Sequence, residues 1–241
     1  MNKPFEICGI PKESGILVVA DHASNNIPDG ENLGISNDLM DDHIAYDIGT
    51  TEIARSMSEN TDYLAFLGGY SRLIVDLNRY PDEQNVIPIE SDGVEIPGNN
   101  IGEMQRMNRL DKYFHPYHDR LTKLIGELKP KLLVSLHSFT PTVRSDSDID
   151  RSWDIGILYN DYVVASKLAL QHLETEELIV GDQLPYSGKD LNATMNRQAE
   201  AIGQPYFGVE IRQDLISFET GQQKFAEILQ RTCNKVLSGL A

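Results

Sequence analysis

The feature that most constrains this chain is a short apolar run, Leu132–Phe139, which carries a histidine near its end. An earlier run, residues 16–22, is built in the same way and ends in Asp21 and His22. Both runs are too short for a buried helix and too apolar for a strand with one face in water. They therefore predict central strands of a buried, parallel sheet.

Ligands of open α/β sheets bind beyond the carboxyl ends of the strands. His22 and His137 are predicted to lie there, and neutral imidazole is the commonest protein ligand of metal ions. The pattern therefore indicates a metal site, most simply for zinc, with two unrelated strand-end histidines as the alternative. His43 and Asp47 are a competing pair, because their spacing of four residues would place both on one face of a helix predicted at residues 38–57.

The order of the other elements predicts the fold class. Further strands are predicted at residues 63–67, 71–79, 153–159, 178–180 and 206–212, and further helices at residues 161–173, 192–201 and 220–237. A helix at residues 102–128 should be interrupted near Pro116, and the long loop at residues 81–100 is typical of binding loops. This alternation favours one α/β domain over residues 1–241, with a mixed, mostly parallel sheet and helices on both faces.

Several predicted strands end in charged side chains, which suggests a shared cavity. Glu210 lies in an apolar strand and is a candidate general base, because burial can shift its pKa toward the working pH. An ion pair with a neighbouring arginine is the alternative. Arg72, Arg79 and Arg212 are candidates to clamp a substrate carboxylate through paired hydrogen bonds, with surface salt bridges as the alternative for each.

Composition excludes several classes of function. The 241-residue chain has a formal net charge of −16, which argues against nucleic acid and anionic membrane surfaces as partners. Apolar runs of about eight residues are far short of a membrane span. The two cysteines, Cys8 and Cys233, fit a reducing cytoplasm. The chain has neither a glycine-rich phosphate loop nor a GxSxG motif, so we expect neither a nucleotide-binding protein nor a serine hydrolase.

Six short motifs follow one another in a specific order. They are His22 with Asn-Ile-Pro at 26–28, Tyr-Ser-Arg-Leu-Ile-Val-Asp-Leu-Asn-Arg at 70–79, Ser-Leu-His-Ser-Phe at 135–139, Trp-Asp-Ile-Gly at 153–156, Pro-Tyr-Ser-Gly at 185–188 and Glu-Ile-Arg-Gln-Asp-Leu-Ile at 210–216. In this order they resemble the N-formylglutamate amidohydrolase family, a branch of the zinc exopeptidase-like hydrolases. The resemblance runs from about Gly15 to the C-terminal helix.

The resemblance implies zinc-dependent hydrolysis of a small N-acyl amino acid that bears a carboxylate, such as N-formylglutamate. In the wider clan two strand-end histidines bind zinc and a glutamate near the C-terminal part is catalytic, and His22, His137 and Glu210 match these roles. The Asp-Leu-Asn-Arg run at 76–79 is similar to that of aspartoacylases. This similarity implies that Asn78 and Arg79 hold the substrate carboxylate and polarise the carbonyl group, with Arg72 as the next candidate for substrate binding.

Two residues depart from the clan pattern. In the clan the first zinc-binding histidine belongs to an HxxE motif, but the position of its glutamate is Asn25 here, and a neutral amide is a poor zinc ligand. We therefore assign the third ligand to Asp47, whose predicted helix begins just after the loop that carries His22. Gln198 stands where the family often has the histidine of Arg-His-Ala. Two other functions stay open: hydrolysis of another amide, chosen by the loop at residues 81–100, and small-molecule binding without catalysis.

Overall fold

A computed structural model describes residues 3–11, 15–59, 61–145 and 151–241. The strands of these residues are β1 (Phe5–Cys8), β2 (Ile16–Ala20), β3 (Tyr63–Gly68), β4 (Glu90–Ser91), β5 (Val94–Glu95), β6 (Leu132–Phe139), β7 (Ile155–Leu158), β8 (Val180–Asp182) and β9 (Tyr206–Arg212). The α-helices are α1 (Thr50–Ser58), α2 (Glu103–Arg109), α3 (His115–Leu128), α4 (Val164–Leu173), α5 (Ala193–Gln198) and α6 (Glu219–Leu240). The sequence is polar at residues 140–150, and residues 146–150 of this run lie outside the described residues. No helix in the described ranges has the length and apolar character needed to cross a bilayer.

Within the described residues, seven strands form one sheet in the order β1-β3-β2-β6-β9-β7-β8. The central strands β3, β2, β6 and β9 are parallel, whereas β1 and β7 run antiparallel to β3 and β9. The prediction of a mixed, mostly parallel sheet is therefore confirmed. The sequence did not reveal β1, because this four-residue edge strand is half-exposed and has no continuous apolar run.

Both faces of the sheet carry a hydrophobic core. Val18 of β2 packs in one core with Ile53 of α1 and Phe225 of α6. The next residue, Val19, belongs to the opposite core together with Leu121 of α3. Neighbouring residues of a strand point to opposite faces, so every residue of β2 is buried. The prediction of helices on both faces is confirmed by this arrangement.

The predicted helix at residues 38–57 is wrong over its first half. A short 3-10 helix, Asn37–Asp41, is followed by turns, and α1 begins only at Thr50. Gly49 precedes α1 with φ 84°, and a Cβ there would lie 2.4 Å from the carbonyl oxygen of Ile216. His43 and Asp47 therefore lie in a looped segment and do not share a helical face.

The predicted strand at residues 71–79 is also wrong. The segment forms turns, in which the Ile74 amide donates to the Ser71 carbonyl at 2.9 Å. Its apolar residues, including Leu73 and Val75, pack into the core that contains α3. No sheet position is open to this segment beside β3, because β3 is already paired with β1 and β2.

The predicted break near Pro116 takes a milder form. A π-helical turn, Leu110–Phe114, joins α2 to α3, and Pro116 lies in the first turn of α3. Proline has no amide hydrogen to donate, and it is tolerated in a first turn, where that hydrogen has no helical partner. The long loop at residues 81–100 contains the β4–β5 hairpin, which the sequence did not predict.

Candidate active site

The carboxyl ends of β2, β6 and β9 meet at one edge of the sheet. His22 follows β2, His137 lies near the end of β6, and Glu210 of β9 is the direct Cα partner of His137. The imidazole rings of His22 and His137 have centroids 5.1 Å apart. The structure thus brings together three side chains that are far apart in the sequence.

A third buried group, Asp47, completes a cluster with the two histidines. Its Oδ2 atom lies 2.8 Å from His137 Nδ1 and 3.4 Å from His22 Nδ1. One ligand atom from each of the three residues lies within 4.8 Å of the others. Asp47 reaches this position from the loop before α1 and not from a helix, although the residue itself is the one that the sequence predicted.

The cluster fits a divalent cation on three grounds. Two imidazoles and a carboxylate form a ligand set typical of zinc. His22 Nδ1 is buried and has no hydrogen-bond partner, which leaves its lone pair available. The local charge also favours a cation: although burial lowers the pKa of His137, the contact with Asp47 outweighs burial and raises that pKa to about 9. Burial alone would raise the pKa of Asp47, but His22 and His137 hold it well below its usual value.

Buried carboxylates lie behind both histidines. Asp76 Oδ1 is 2.7 Å from His22 Nε2, so the ring donates from Nε2 and presents Nδ1 to the cluster. Behind His137, Asp21 Oδ2 lies 3.8 Å from Nε2, and the Tyr117 hydroxyl donates to the other Asp21 oxygen at 2.6 Å. The Asp76 contact fixes the orientation of the His22 ring, whereas Asp21 is too far from His137 for a hydrogen bond and adds only a nearby negative charge.

Arg72 joins two of these carboxylates. Its guanidinium donates to Asp76 Oδ2 at 2.8 Å and to Asp47 Oδ1 at 3.3 Å. Burial would lower the pKa of Arg72, but Asp76 and Asp47 outweigh burial and raise it further, so the side chain stays charged. Arg72 also lines the cavity, and its hydrogen bonds hold the carboxylates of Asp47 and Asp76 in place.

Glu210 has the environment of a proton-transferring group. Its side chain is buried, and its Oε2 atom has no hydrogen-bond partner. Burial raises the pKa of Glu210 to about 7, even though the nearby His137 acts in the opposite direction. A carboxyl group with such a pKa exchanges protons readily at neutral pH.

A cavity of about 300 Å³ is lined by His22, Asp47, Arg72, His137 and Glu210. Asn78 and Arg79 contribute to its wall, as does Tyr186. The Asn78 amide oxygen accepts from the Thr194 backbone amide at 3.0 Å, which fixes its orientation. A larger, open cavity of about 770 Å³ lies beside β1, but the metal-ligand group does not line it, so the smaller cavity is the candidate active site.

Arg212 does not join the site. Its guanidinium donates to Asp214 at 2.8 Å, lies 3.4 Å from Asp154 and contacts the Ser152 carbonyl. It is not among the residues that line the cavity. The structure therefore does not bring Arg212 together with the other predicted site residues, because the acidic groups of Asp154 and Asp214 hold its guanidinium.

The two departures from the clan pattern also lie outside the cavity. Asn25 donates to the Met40 carbonyl at 2.9 Å, and Gln198 accepts from the Thr122 hydroxyl at 3.0 Å. The competing ligand His43 lines the rim of the cavity, but both of its ring nitrogens face other carboxylates, those of Asp42 and Asp92. Among the described residues, the group whose ligand atoms could surround a metal ion is His22, Asp47 and His137, and Asn25, Gln198 and His43 are not part of it.

Sequence reasoning missed three residues of the site. Asp76 orients His22, Asp21 lies 3.8 Å from His137 Nε2, and Tyr186 lines the same cavity as Glu210. The signals were present, since Asp21 directly precedes His22, Asp76 begins the Asp-Leu-Asn-Arg run, and Tyr186 lies in the Pro-Tyr-Ser-Gly motif. The position of these residues in the sequence does not determine which side chains they contact.

The mostly parallel sheet, with two histidines and a carboxylate grouped at its carboxyl edge, defines an α/β protein with a candidate metal site. The sequence profile of the N-formylglutamate amidohydrolase family matches residues 14–217, and the chain belongs to this family. No curated protein matches the chain by sequence.

Several solved structures share the fold of this chain. A gene product of Agrobacterium tumefaciens is 31% identical, with a TM-score of 0.92 over 99% of this chain and 96% of that one. An N-formylglutamate amidohydrolase from Ralstonia eutropha JMP134 shares the fold at 15% identity, with a TM-score of 0.74 over 98% and 99% of the two chains. A bacteriophage poly-gamma-glutamate hydrolase shares it at 13% identity, with a TM-score of 0.53 over 100% and 93%.

Proposed function

We propose that this chain is a metal-dependent amidohydrolase that cleaves the amide of a small N-acyl amino acid, with N-formylglutamate as the reference substrate. The observation that carries the proposal is the buried cluster of His22, Asp47 and His137 with Glu210 directly beside it. A divalent ion held by the three ligands, zinc by the nature of the donors, would acidify water and polarise the amide carbonyl.

Glu210 is the proposed proton carrier. As a carboxylate it takes a proton from the attacking water, and as a carboxylic acid it gives a proton to the nitrogen of the leaving amine. Its pKa of about 7 supports both roles, because the group then changes protonation state near the working pH. The products are formate and the free amino acid, so one water molecule is consumed for each amide cleaved.

Arg79 and Asn78 are the proposed substrate-binding pair. Both line the cavity, and the backbone amide of Asn78 donates to Asp76 at 2.9 Å, which ties the pair to the carboxylate behind His22. A guanidinium binds a carboxylate through two charge-assisted hydrogen bonds. Arg79 also stabilises the negative charge that develops on the carbonyl oxygen during attack.

The test is formate release from N-formylglutamate by the purified chain, before and after chelation and with zinc restored. We expect activity to follow the metal, and Glu210→Gln to lower kcat by about 100-fold or more, since general bases contribute roughly 10²–10⁴. Glu95→Gln, at an exposed position of β5, is the matched control and should stay at the wild-type rate. A loss below about tenfold for Glu210→Gln contradicts the assigned base.

Two outcomes favour the other functions. Turnover of a different amide with the same dependence on metal and on Glu210 would keep the mechanism and change the substrate. A chain that binds N-formylglutamate, holds no metal and hydrolyses none of these amides would be a binding protein of the same fold.

A further inference from the structure

The outer rim of the cavity is assembled from three separate loops. They are the β4–β5 hairpin turn, the segment that follows β6 and the loop before α1. Each contributes to the cavity wall, through Ser91 and Asp92, through Val143 and Ser145, and through His43. We call these five residues the rim.

Asp92 holds the rim together. Its carboxylate accepts hydrogen bonds from the backbone amides of Arg144 and Ser145, both at 2.9 Å, and from the Ser145 hydroxyl at 2.9 Å. His43 Nε2 lies 3.1 Å from the same carboxylate. One side chain therefore links all three loops. Although burial would raise the pKa of Asp92, the two backbone amides and the Ser145 hydroxyl lower it to about 2, so these contacts are made by the charged form.

The hairpin turn does not itself require a carboxylate at this position. Asp92 and Gly93 have φ values of 45° and 77°, as in a tight turn that accepts Gly-Gly as readily as Asp-Gly. The backbone explains why a small or turn-forming residue occurs there. The Asp92 carboxylate is therefore explained by its contacts with the other two loops and not by the turn.

We propose that Asp92 is a specificity-determining residue, which closes the rim and so limits the cavity to a single acylated amino acid. The inference rests on the proposed function and extends it to the length of the substrate. A volume of about 300 Å³ is at the lower end of small-molecule pockets, which run from about 300 to 1,000 Å³. Separating the loops is the change that would admit a longer acyl group or a second amino acid.

The experiment compares the wild type with Asp92→Gly, which preserves the turn and removes every contact of the carboxylate. Glu95→Gln is the control, since it also removes one negative charge from the same hairpin but does not line the cavity. The first readout is hydrogen exchange of the Arg144 and Ser145 amides. We expect their protection to fall by about tenfold or more in Asp92→Gly and to stay unchanged in Glu95→Gln.

The second readout is kcat/KM for N-formylglutamate, N-hexanoylglutamate and an N-formyl glutamyl dipeptide. We expect Asp92→Gly to raise the ratio of kcat/KM for one of the longer substrates to kcat/KM for N-formylglutamate by about tenfold or more. Pockets typically discriminate between substrates of different size by a factor of this order. Unchanged exchange, or lost protection with unchanged ratios, overturns the proposal.

Failure of the proposed function is recognised separately. In that case the wild type hydrolyses none of these amides. Calorimetry then gives the dissociation constants of the same three compounds, and the ratio of these constants replaces the ratio of kcat/KM values. Equal ratios of these constants in the wild type and Asp92→Gly then overturn the assignment of Asp92.

Discussion

The carboxylate behind His22 offers a sharp test of the proposed metal site. Asp76 Oδ1 accepts from His22 Nε2 at 2.7 Å, while its other oxygen accepts from Arg72 at 2.8 Å. Asp76→Asn keeps the shape of the side chain and removes its charge. The single amide oxygen cannot serve both His22 and Arg72 as the two carboxylate oxygens do, and the imidazole loses the charged acceptor that makes Nδ1 a stronger ligand.

The expected loss follows from the contact distances. A partner of this kind is typically worth about 10–100-fold in metal affinity, which corresponds to about 1.4–2.7 kcal/mol. Asp21 lies 3.8 Å from His137 Nε2, beyond hydrogen-bond distance, so we expect Asp21→Asn to weaken zinc binding by less than about threefold. The two variants remove the same charge and differ in geometry.

Zinc affinity is measured by competition with a chromophoric chelator at pH 7.5, alongside urea unfolding without metal. The unfolding curves identify any variant whose fold is damaged, because a loss of structure would weaken zinc binding for another reason. Equal losses in Asp76→Asn and Asp21→Asn, or a loss below about threefold for Asp76→Asn in a folded protein, would refute the role assigned to Asp76.

Two further results are expected. Arg79→Met should lower kcat/KM for N-formylglutamate by about tenfold or more, because hydrogen bonds between charged groups contribute roughly 1.5–3 kcal/mol. Arg212→Met is the control and should leave kcat/KM unchanged. Equal kinetics in the two variants would contradict the assignment of Arg79 to the substrate site. Burial and the nearby Arg197 lower the pKa of His118 to about 4, below the 6.5 of an unfolded chain, so the unfolded chain takes up a proton first as the pH falls. The stability that the neutral His118 contributes should therefore be fully present above pH 6.5 and fall by up to roughly 3 kcal/mol by pH 4. His118→Gln should show a smaller drop in urea unfolding between these pH values, and equal drops in both proteins would argue against a neutral His118.

The sequence by itself determined the centre of the sheet. A strand covered on both faces must be apolar along its length, so β2, β6 and β9 could be recognised as short apolar runs. Parallel neighbours place their carboxyl ends at one edge, which is why His22, His137 and Glu210 could be predicted to approach each other.

Only the tertiary structure decided how the rest of the site is built. Asp47 lies beside the two histidines, as predicted for a third ligand, but a loop between the 3-10 helix and α1 carries it there and not a helical face. Residues 71–79 have the composition of a strand, yet β1 occupies the sheet edge beside β3 and the segment packs over a face as turns. Arg72 and Arg212 both lie near the carboxyl ends of strands. Asp47 and Asp76 hold the side chain of Arg72 at the cavity, whereas Asp154 and Asp214 hold that of Arg212 away from it. Local sequence determines which residues form a buried strand, whereas the direction of a long charged side chain depends on partners that only the folded chain brings within reach.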